Sequence, residues 1–343
     1  MKLTDAGLQQ RELWESSSYT LPTFDRVAMI EESAQNPTWV HFGAGNIFRV
    51  FPAALQQRLL NRGLATTGIV VGEGFDYEII DEVFTKHDNL TLMVTLNSDG
   101  SIAKEVIASI ASAHKCDPQF TEEWEFFKEL FKKPSLQMAS MTITEKGYGL
   151  TGADGSYSPA VANDLAAGPA KSSLFIPKLT ALVYERYRAT VGPLALVSMD
   201  NCSHNGEKLA NAVKTVAREW KERGFVDSGF LTYLDEQVSF PWSMIDKITP
   251  RPDEAVKRML EADGFEDSAL IVTERHTYTA PFVNAEAPQY LVIEDDFPNG
   301  RPALEEAGVS FTDRDTVNKV ERMKVTTCLN PLHTALAIYG CLL

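Results

Sequence analysis

The chain has 343 residues, 44% of them hydrophobic, enough to bury a substantial core in two domains or in one large domain with an appendage. Its formal charge of −15 opposes binding to nucleic-acid phosphates, and no Lys/Arg-rich run forms a local exception. No window approaches about 18 uninterrupted apolar residues, and residues 1–20 lack the apolar centre of a signal peptide, so a cytoplasmic chain with no membrane partner is expected. Cys116, Cys202, Cys328 and Cys341 stand far apart without CxxC pairing, and the histidines are scattered. Neither a disulfide framework nor a metal site is expected, which leaves any carbonyl chemistry to organic side chains.

After a polar N-terminal arm, "PTWVHFGAGNIFRVFPAALQQRLLNRG" reads as strand, glycine turn and helix, with Phe48, Phe51, Leu55 and Leu59 at helical spacing up to Gly63. "TGIVVGEG" follows as a buried parallel strand ending at Glu73 and completes a βαβ unit. Two β-prone runs flanking Asn97-Ser98-Asp99-Gly100 predict an antiparallel hairpin. "LQMASMTITEKGY" and "GPLALVSMDNCSHNG" are two further strands that exit into polar loops, the second followed by a helix carrying Leu209, Val213, Val216 and Trp220 on one face. The Pro/Gly/Ser-rich stretch 151–175 between them is expected to be an exposed insertion. From about 312, with Asp313 or Asp315 as N-cap, the pattern is uninterrupted helix. The fold class is therefore α/β: a Rossmann-like doubly wound sheet with insertions, followed by the start of an all-helical domain. Residues 1–290 form the dinucleotide-binding part and 291–343 the beginning of the helical part.

In "GAGNIFR", Gly43 and Gly45 let the backbone turn tightly and approach a pyrophosphate, and Asn46, Ile47 and Phe48 open the helix that would stabilise it. A tight βα turn in some other α/β protein would also explain these residues, since Phe48 stands at the third glycine position. Glu73 favours dinucleotide binding, because an acid at the tip of the second strand accepts ribose hydroxyls and repels a 2′-phosphate. NAD rather than NADP is the expected cofactor, with Asp76 as the alternative acid. Thr144 and Glu145, at the exit of the third strand, complete the cofactor-facing set. In "SMDNCSHNG", Asn205 is either a cap of the helix from Gly206 or a substrate contact, while Asn201 sits higher in the loop, where its amide could donate to a substrate oxygen. Asp246 is either a buried acceptor for a polyol hydroxyl or a solvated residue before Lys247. In "KVTTCLNPLH", Asn330 and His333 share a helix face, and Lys324, six before Asn330, lies off that face on a regular helix. An extra residue accommodated as a bulge would bring it back. On spacing alone, a solvated lysine and a core histidine account for the segment better.

The ordered motifs "HFGAGNIFR", "TITEKGY", "SMDNCSHNG", "SFPWSMIDKITP", "VIEDDFPNGRP" and "NPLH" together resemble the polyol-specific long-chain dehydrogenases, which include mannitol 2-dehydrogenase, fructuronate reductase and tagaturonate reductase. The resemblance runs from about residue 38 to the end of the chain. It implies metal-independent, NAD-dependent hydride transfer at a secondary alcohol, with a small-molecule sugar acid or polyol as partner. By motif the general acid/base falls on Lys324, the oxygen-binding amides on Asn201 and Asn330, a further site histidine on His333, and a substrate-site aspartate on Asp246. The lysine-to-asparagine spacing is one residue longer than is usual in the family, and Trp242 and Lys247 stand where asparagine and arginine are common.

"TTCLNPLHT" and the insertion "RHTYTAPFVNAEAP" resemble the mannonate-oxidising branch more than the mannitol branch. The expected reaction is therefore D-mannonate to D-fructuronate, with mannitol/fructose and altronate/tagaturonate as alternatives. A free lysine, with a pKa of ~10.4, is a poor base at neutral pH, so burial is expected to lower that of Lys324 toward ~7–8. Family members continue through a helical domain, and "TALAIYGCLL" is apolar and uncapped. The chain is accordingly expected to be the front part of a longer enzyme, and by itself either inactive, an NAD-binding fragment, or associated through that helix.

Overall fold

The computed structural model describes residues 1–341; the side chains of residues 325, 326, 329, 330 and 333 lie outside the described residues. Six parallel strands form the central sheet: β1 (Trp39–Phe42), β2 (Ile69–Glu73), β3 (Ile110–Lys115), β4 (Met138–Met141), β5 (Leu194–Ser198) and β6 (Val238–Ser239). Their spatial order is 3-2-1-4-5-6, the doubly wound order whose direction reverses between β1 and β4. Every residue of β1, β2, β4 and β5 is buried, as a sheet covered on both faces requires.

Alternation along the strands divides the core into two layers. Val40, Phe42, Ala139 and Leu196 pack with Trp124 and Phe127 of α3 (Thr121–Phe131), Leu179 and Leu182 of α4 (Phe175–Ala189), and Val213 and Trp220 of α5 (Asn205–Glu222). Trp39, Val71, Met138 and Val197 face the other way, onto Phe48, Leu55 and Leu59. The helix expected over 46–63 is two helices, α1 (Asn46–Val50) and α2 (Pro52–Asn61), parted at Phe51 (φ −124°, ψ −73°). Pro52 is the cause, because its ring disfavours helical backbone at the preceding residue while suiting the first position of a new helix.

The predicted hairpin is present: Thr91–Leu96 pairs antiparallel with Ile102–Ile107. Phe282–Glu286 and Tyr19–Thr20 of the N-terminal arm extend it to four strands. The stretch 151–175 is exposed only in its first half; Ser158 then caps the helix Pro159–Ala167, whose Val161 and Leu165, four apart, reach the core. Nor does sheet give way to helix at 290/291. That junction lies inside β8 (Gln289–Glu294), which pairs with β7 (Ser243–Lys247) and β9 (Ser310–Thr312). Helix begins at α6 (Arg314–Arg322), where the Asp313 side chain accepts from Thr316 N at 2.8 Å.

At the reversal point a polar chain crosses from β1 to β4. Trp39 Nε1 donates to Ser140 Oγ (2.7 Å), which lies 2.7 Å from His41 Nδ1, and His41 Nε2 lies 3.1 Å from Thr142 Oγ1. All of these groups are satisfied when the serine proton goes to Nδ1 and the imidazole donates from Nε2 to the threonine. Burial pushes the His41 pKa down to about 3, so the ring is neutral. The unfolded chain takes up this proton near pH 6.5, so protons bind the unfolded state preferentially and stability falls as pH drops from about 6.5 toward about 3. Relative to about pH 7.5, His41 is expected to account for about 2 kcal/mol lost at about pH 5. Urea unfolding at the two pH values checks this, and His41→Gln, which does not titrate, should lose about that much less.

Candidate functional site

The glycine turn leaves β1 at the reversal point. Gly43 has φ +106°, donates its N–H to Gly72 O at 2.9 Å, and has no room for a side chain, since a Cβ would lie 2.3 Å from Thr142 O. Gly45 differs: its φ is −76°, and a Cβ there would meet nothing within 4 Å. The fold demands glycine at the first position but not at the second, where the open space lies over the start of α1. The first intrahelical bond of α1 is Arg49 N to Gly45 O, so the N–H groups of Asn46, Ile47 and Phe48 have no intrahelical partner. Ile47 is exposed, whereas Phe48 is wholly buried and stacks on His41 at 4.3 Å, filling the space a third glycine would leave. Arg49 lies buried behind the turn, its guanidinium donating to Thr91, Thr279 and the carbonyls of Ala280 and Pro281, and burial pushes its pKa down to about 9.

Both acids expected at the ribose are engaged by the protein. Glu73 Oε2 accepts from Ala44 N (2.8 Å) and Oε1 from Phe75 N (2.8 Å) and Asp76 N (3.1 Å). Burial raises its pKa while these N–H groups oppose the rise. Of about four acceptor sites on the carboxylate, one remains. Asp76 is buried and accepts from Thr273 Oγ1 at 2.6 Å.

Across the crevice, Asp200 accepts from Ile143 N (3.0 Å), Thr144 N (2.9 Å) and the Tyr148 hydroxyl (2.5 Å), tying the exit of β4 to that of β5. It holds Thr144 at φ +64°, ψ 158°, a strained conformation for a β-branched residue. Glu145 is turned onto Lys208 of α5. Asn201 is exposed at the crest of the next loop, with no hydrogen-bond partner among the described residues. Asn205 is not at the mouth. Its amide donates to the carbonyls of Ser198, Asp200 and Ser243, and its oxygen accepts from Ser243 N and Gly206 N. Helix α5 already includes Asn205, so the residue is a buried strut rather than a cap, and its bonding capacity is spent inside the protein.

Lys324 lies in the π-helix Met323–Leu329 that continues α6. Spacing alone favours a solvated lysine; the segment instead widens into a π-helix, the kind of bulge that can absorb an extra residue, and the lysine is buried. Lys324 is 7% exposed, its Nζ 2.6 Å from Asp246 Oδ1, 3.5 Å from Ile245 O and 4.8 Å from the ring centre of Tyr290. Asp246 on β7 stands opposite Tyr290 on β8, and burial, with Asp246 adding to it, pushes the phenol up to about 12. One turn earlier, buried Glu321 accepts from Ser203 Oγ and from His204 N (2.9 Å), so the helix bearing Lys324 also holds the loop bearing Asn201. His204 stacks on Trp242 at 4.5 Å. Lys247, next along β7, points to the opposite face, donating to Glu286 O, and burial pushes its pKa down to about 8. Asn330 and His333 lie on the helix Asn330–Gly340, with their side chains outside the described residues. Among the described residues no group of three or more His, Cys, Asp or Glu could hold a metal ion.

Residues 37–306 match the mannitol dehydrogenase Rossmann domain. The chain belongs to the mannitol dehydrogenase family. It is 51% identical to a D-mannonate oxidoreductase of Thermotoga maritima over 100% of this chain and 64% of that protein. A substrate-free D-sorbitol dehydrogenase superposes with TM-score 0.73 at 26% identity, covering 90% of this chain and 58% of that one. A Pseudomonas fluorescens mannitol 2-dehydrogenase, in ternary complex with NAD and D-mannitol, superposes with TM-score 0.76 at 24% identity, over 94% and 60%. The chain thus spans less than two thirds of the length of each of these proteins.

In this mannitol dehydrogenase family chain, Lys324 and Asp246 meet despite their separation in sequence, and Glu321 links them to the Asn201 loop. Glu321 and Asp200 were not singled out from the sequence. Asp200 carried a signal in standing at the exit of a strand, beside Asn201; Glu321, on a charged helix, carried none. The two glycines should separate experimentally. Gly43→Ala is expected to cost about 2–4 kcal/mol of unfolding free energy and Gly45→Ala less than about 1 kcal/mol, as read from urea denaturation midpoints.

Proposed function

We propose that this chain carries the cofactor site and the proton-transferring lysine of an NAD-dependent oxidoreductase that interconverts D-mannonate and D-fructuronate. The observation that carries the reading is the buried Lys324, fixed by Asp246 on a helix that also fastens the Asn201 loop. The 51% identity to a protein named D-mannonate oxidoreductase favours mannonate over mannitol. The dinucleotide fits the glycine turn, since Gly45 leaves open space where no neighbour requires it and the adjoining N–H groups at the head of α1 are free of intrahelical bonds. When bound, NAD supplies the hydride acceptor.

In the oxidative direction Lys324 Nζ takes the proton of the reacting hydroxyl, and Asp246 keeps that nitrogen in place and accepts from a neighbouring hydroxyl. Asn201, whose amide has no partner within the protein among the described residues, donates to the oxygen as its charge develops. Asn330 is assigned the second donor and His333 the orientation of substrate or lysine. The remaining acceptor site of Glu73 faces the adenosine ribose, and its charge disfavours a 2′-phosphate. No helix among the described residues is long and apolar enough to cross a membrane. All four cysteines are unpaired, which supports a cytoplasmic setting.

Lys324→Ala in the full-length protein is expected to lower mannonate-dependent NADH formation by about 10²–10⁴-fold while NADH affinity stays within about twofold. Turnover close to normal would return the lysine to a purely structural role. For the cofactor, NADH should bind more tightly than NADPH in a fluorescence titration. Glu73→Ser should narrow that gap and also lower stability, because it frees three N–H groups that the carboxylate now satisfies.

A further inference from the structure

Two residues beyond Glu73, Phe75 is 65% exposed, an unusual setting for a phenyl ring at the mouth of a sheet. It is not loose, since its N–H is bound to Glu73 Oε1 at 2.8 Å, the carboxylate that also holds the glycine turn. Over its ring, at 4.8 Å from the centre, stands the guanidinium of Arg275, which forms no ion pair among the described residues. Arg275 comes from the tip of a hairpin whose strands are Ile271–Val272 and Tyr278–Thr279. That tip is fastened to the loop after β2: Thr273 Oγ1 donates to Asp76 at 2.6 Å and accepts from Thr277 N at 3.1 Å, and Glu274 N donates to Glu78 at 2.9 Å.

A dinucleotide whose pyrophosphate sits on the glycine turn runs its adenosine half over the end of β2. The base lies beyond the ribose, and Phe75 and Arg275 come next after Glu73 along that path. Exposed aromatic faces and guanidinium planes are the groups on which nucleobases stack without base-specific hydrogen bonds. We propose that Phe75 and Arg275 form the stacking site for the adenine ring, with the hairpin as the element that delivers the arginine; this assignment rests on the dinucleotide reading of the glycine turn.

The test compares binding of NADH with that of reduced nicotinamide mononucleotide, which lacks the adenosine half, to the full-length protein and three variants. Phe75→Ala and Arg275→Ala should each weaken NADH binding by about tenfold and leave mononucleotide binding unchanged, while Phe75→Tyr, which keeps a stacking face, should bind NADH like the unaltered protein. Unchanged NADH affinity in both alanine variants would overturn the assignment, as would an equal loss of mononucleotide affinity. If the unaltered protein binds neither compound, the dinucleotide reading itself fails and this one with it, a result distinct from selective failure of the variants.

Discussion

A buried carboxylate that accepts three backbone N–H groups sets the spacing of the cofactor crevice. Glu73 joins Ala44, in the turn after β1, to Phe75 and Asp76, in the loop after β2, so neither loop can move without stranding donors in a low-dielectric site. Burial alone would favour the protonated acid, but the N–H groups oppose that. The rest of the mouth is built by the same means. Asp200 ties the exits of β4 and β5, and Glu321 ties the loop after β5 to the helix that bears Lys324. Three acids thus staple successive strand exits, and part of the chain's excess of carboxylates serves as internal wiring rather than solvated surface.

This arrangement holds the sheet and the loops above it by different means. The sheet below the mouth is closed by packing on both faces and by the neutral His41 chain from β1 to β4. The loops over it are irregular, yet held by charge-assisted hydrogen bonds at their roots; Asn201 stands at the crest of one, while Lys324 and Asp246 are set on a helix and a strand. Thr144 shows the balance of terms: its strained backbone is retained because its own N–H and that of Ile143 are both bound by one carboxylate.

Local pattern made the sheet and the turn legible in the sequence. Continuous apolar runs marked β2 and β5, two glycines marked the turn, and the pair Asp313/Asp315 marked the start of α6, where Asp313 is the cap. The contacts that organise the site were not legible, because they join residues remote in sequence. Motif resemblance put Asp246 and Lys324 in one site, but nothing in either local pattern shows that the two pair directly, and a mid-helix Glu321 looks like any solvated acid. Asn205 misled because asparagine in a polar loop is a common ligand and an equally common strut, and only the positions of Ser198 and Ser243 decide between them. Residues 290 and 291 lie inside a strand because "QYLVIE" pairs with a segment more than forty residues earlier, a partner no local window contains.

The π-helix at Met323–Leu329 changes how length and orientation are related in this part of the chain. In a regular helix each added residue turns everything after it by about 100°, which would carry the helix Asn330–Gly340 around its own axis relative to Lys324. A widened turn takes up an added residue locally and leaves the rotational phase downstream nearly as it was. The lysine and the segment after it are therefore related by angle rather than by residue count. Sequences that differ by one residue between the two can present the same face to the mouth of the sheet, so a gap in an alignment at this point need not signal a different site.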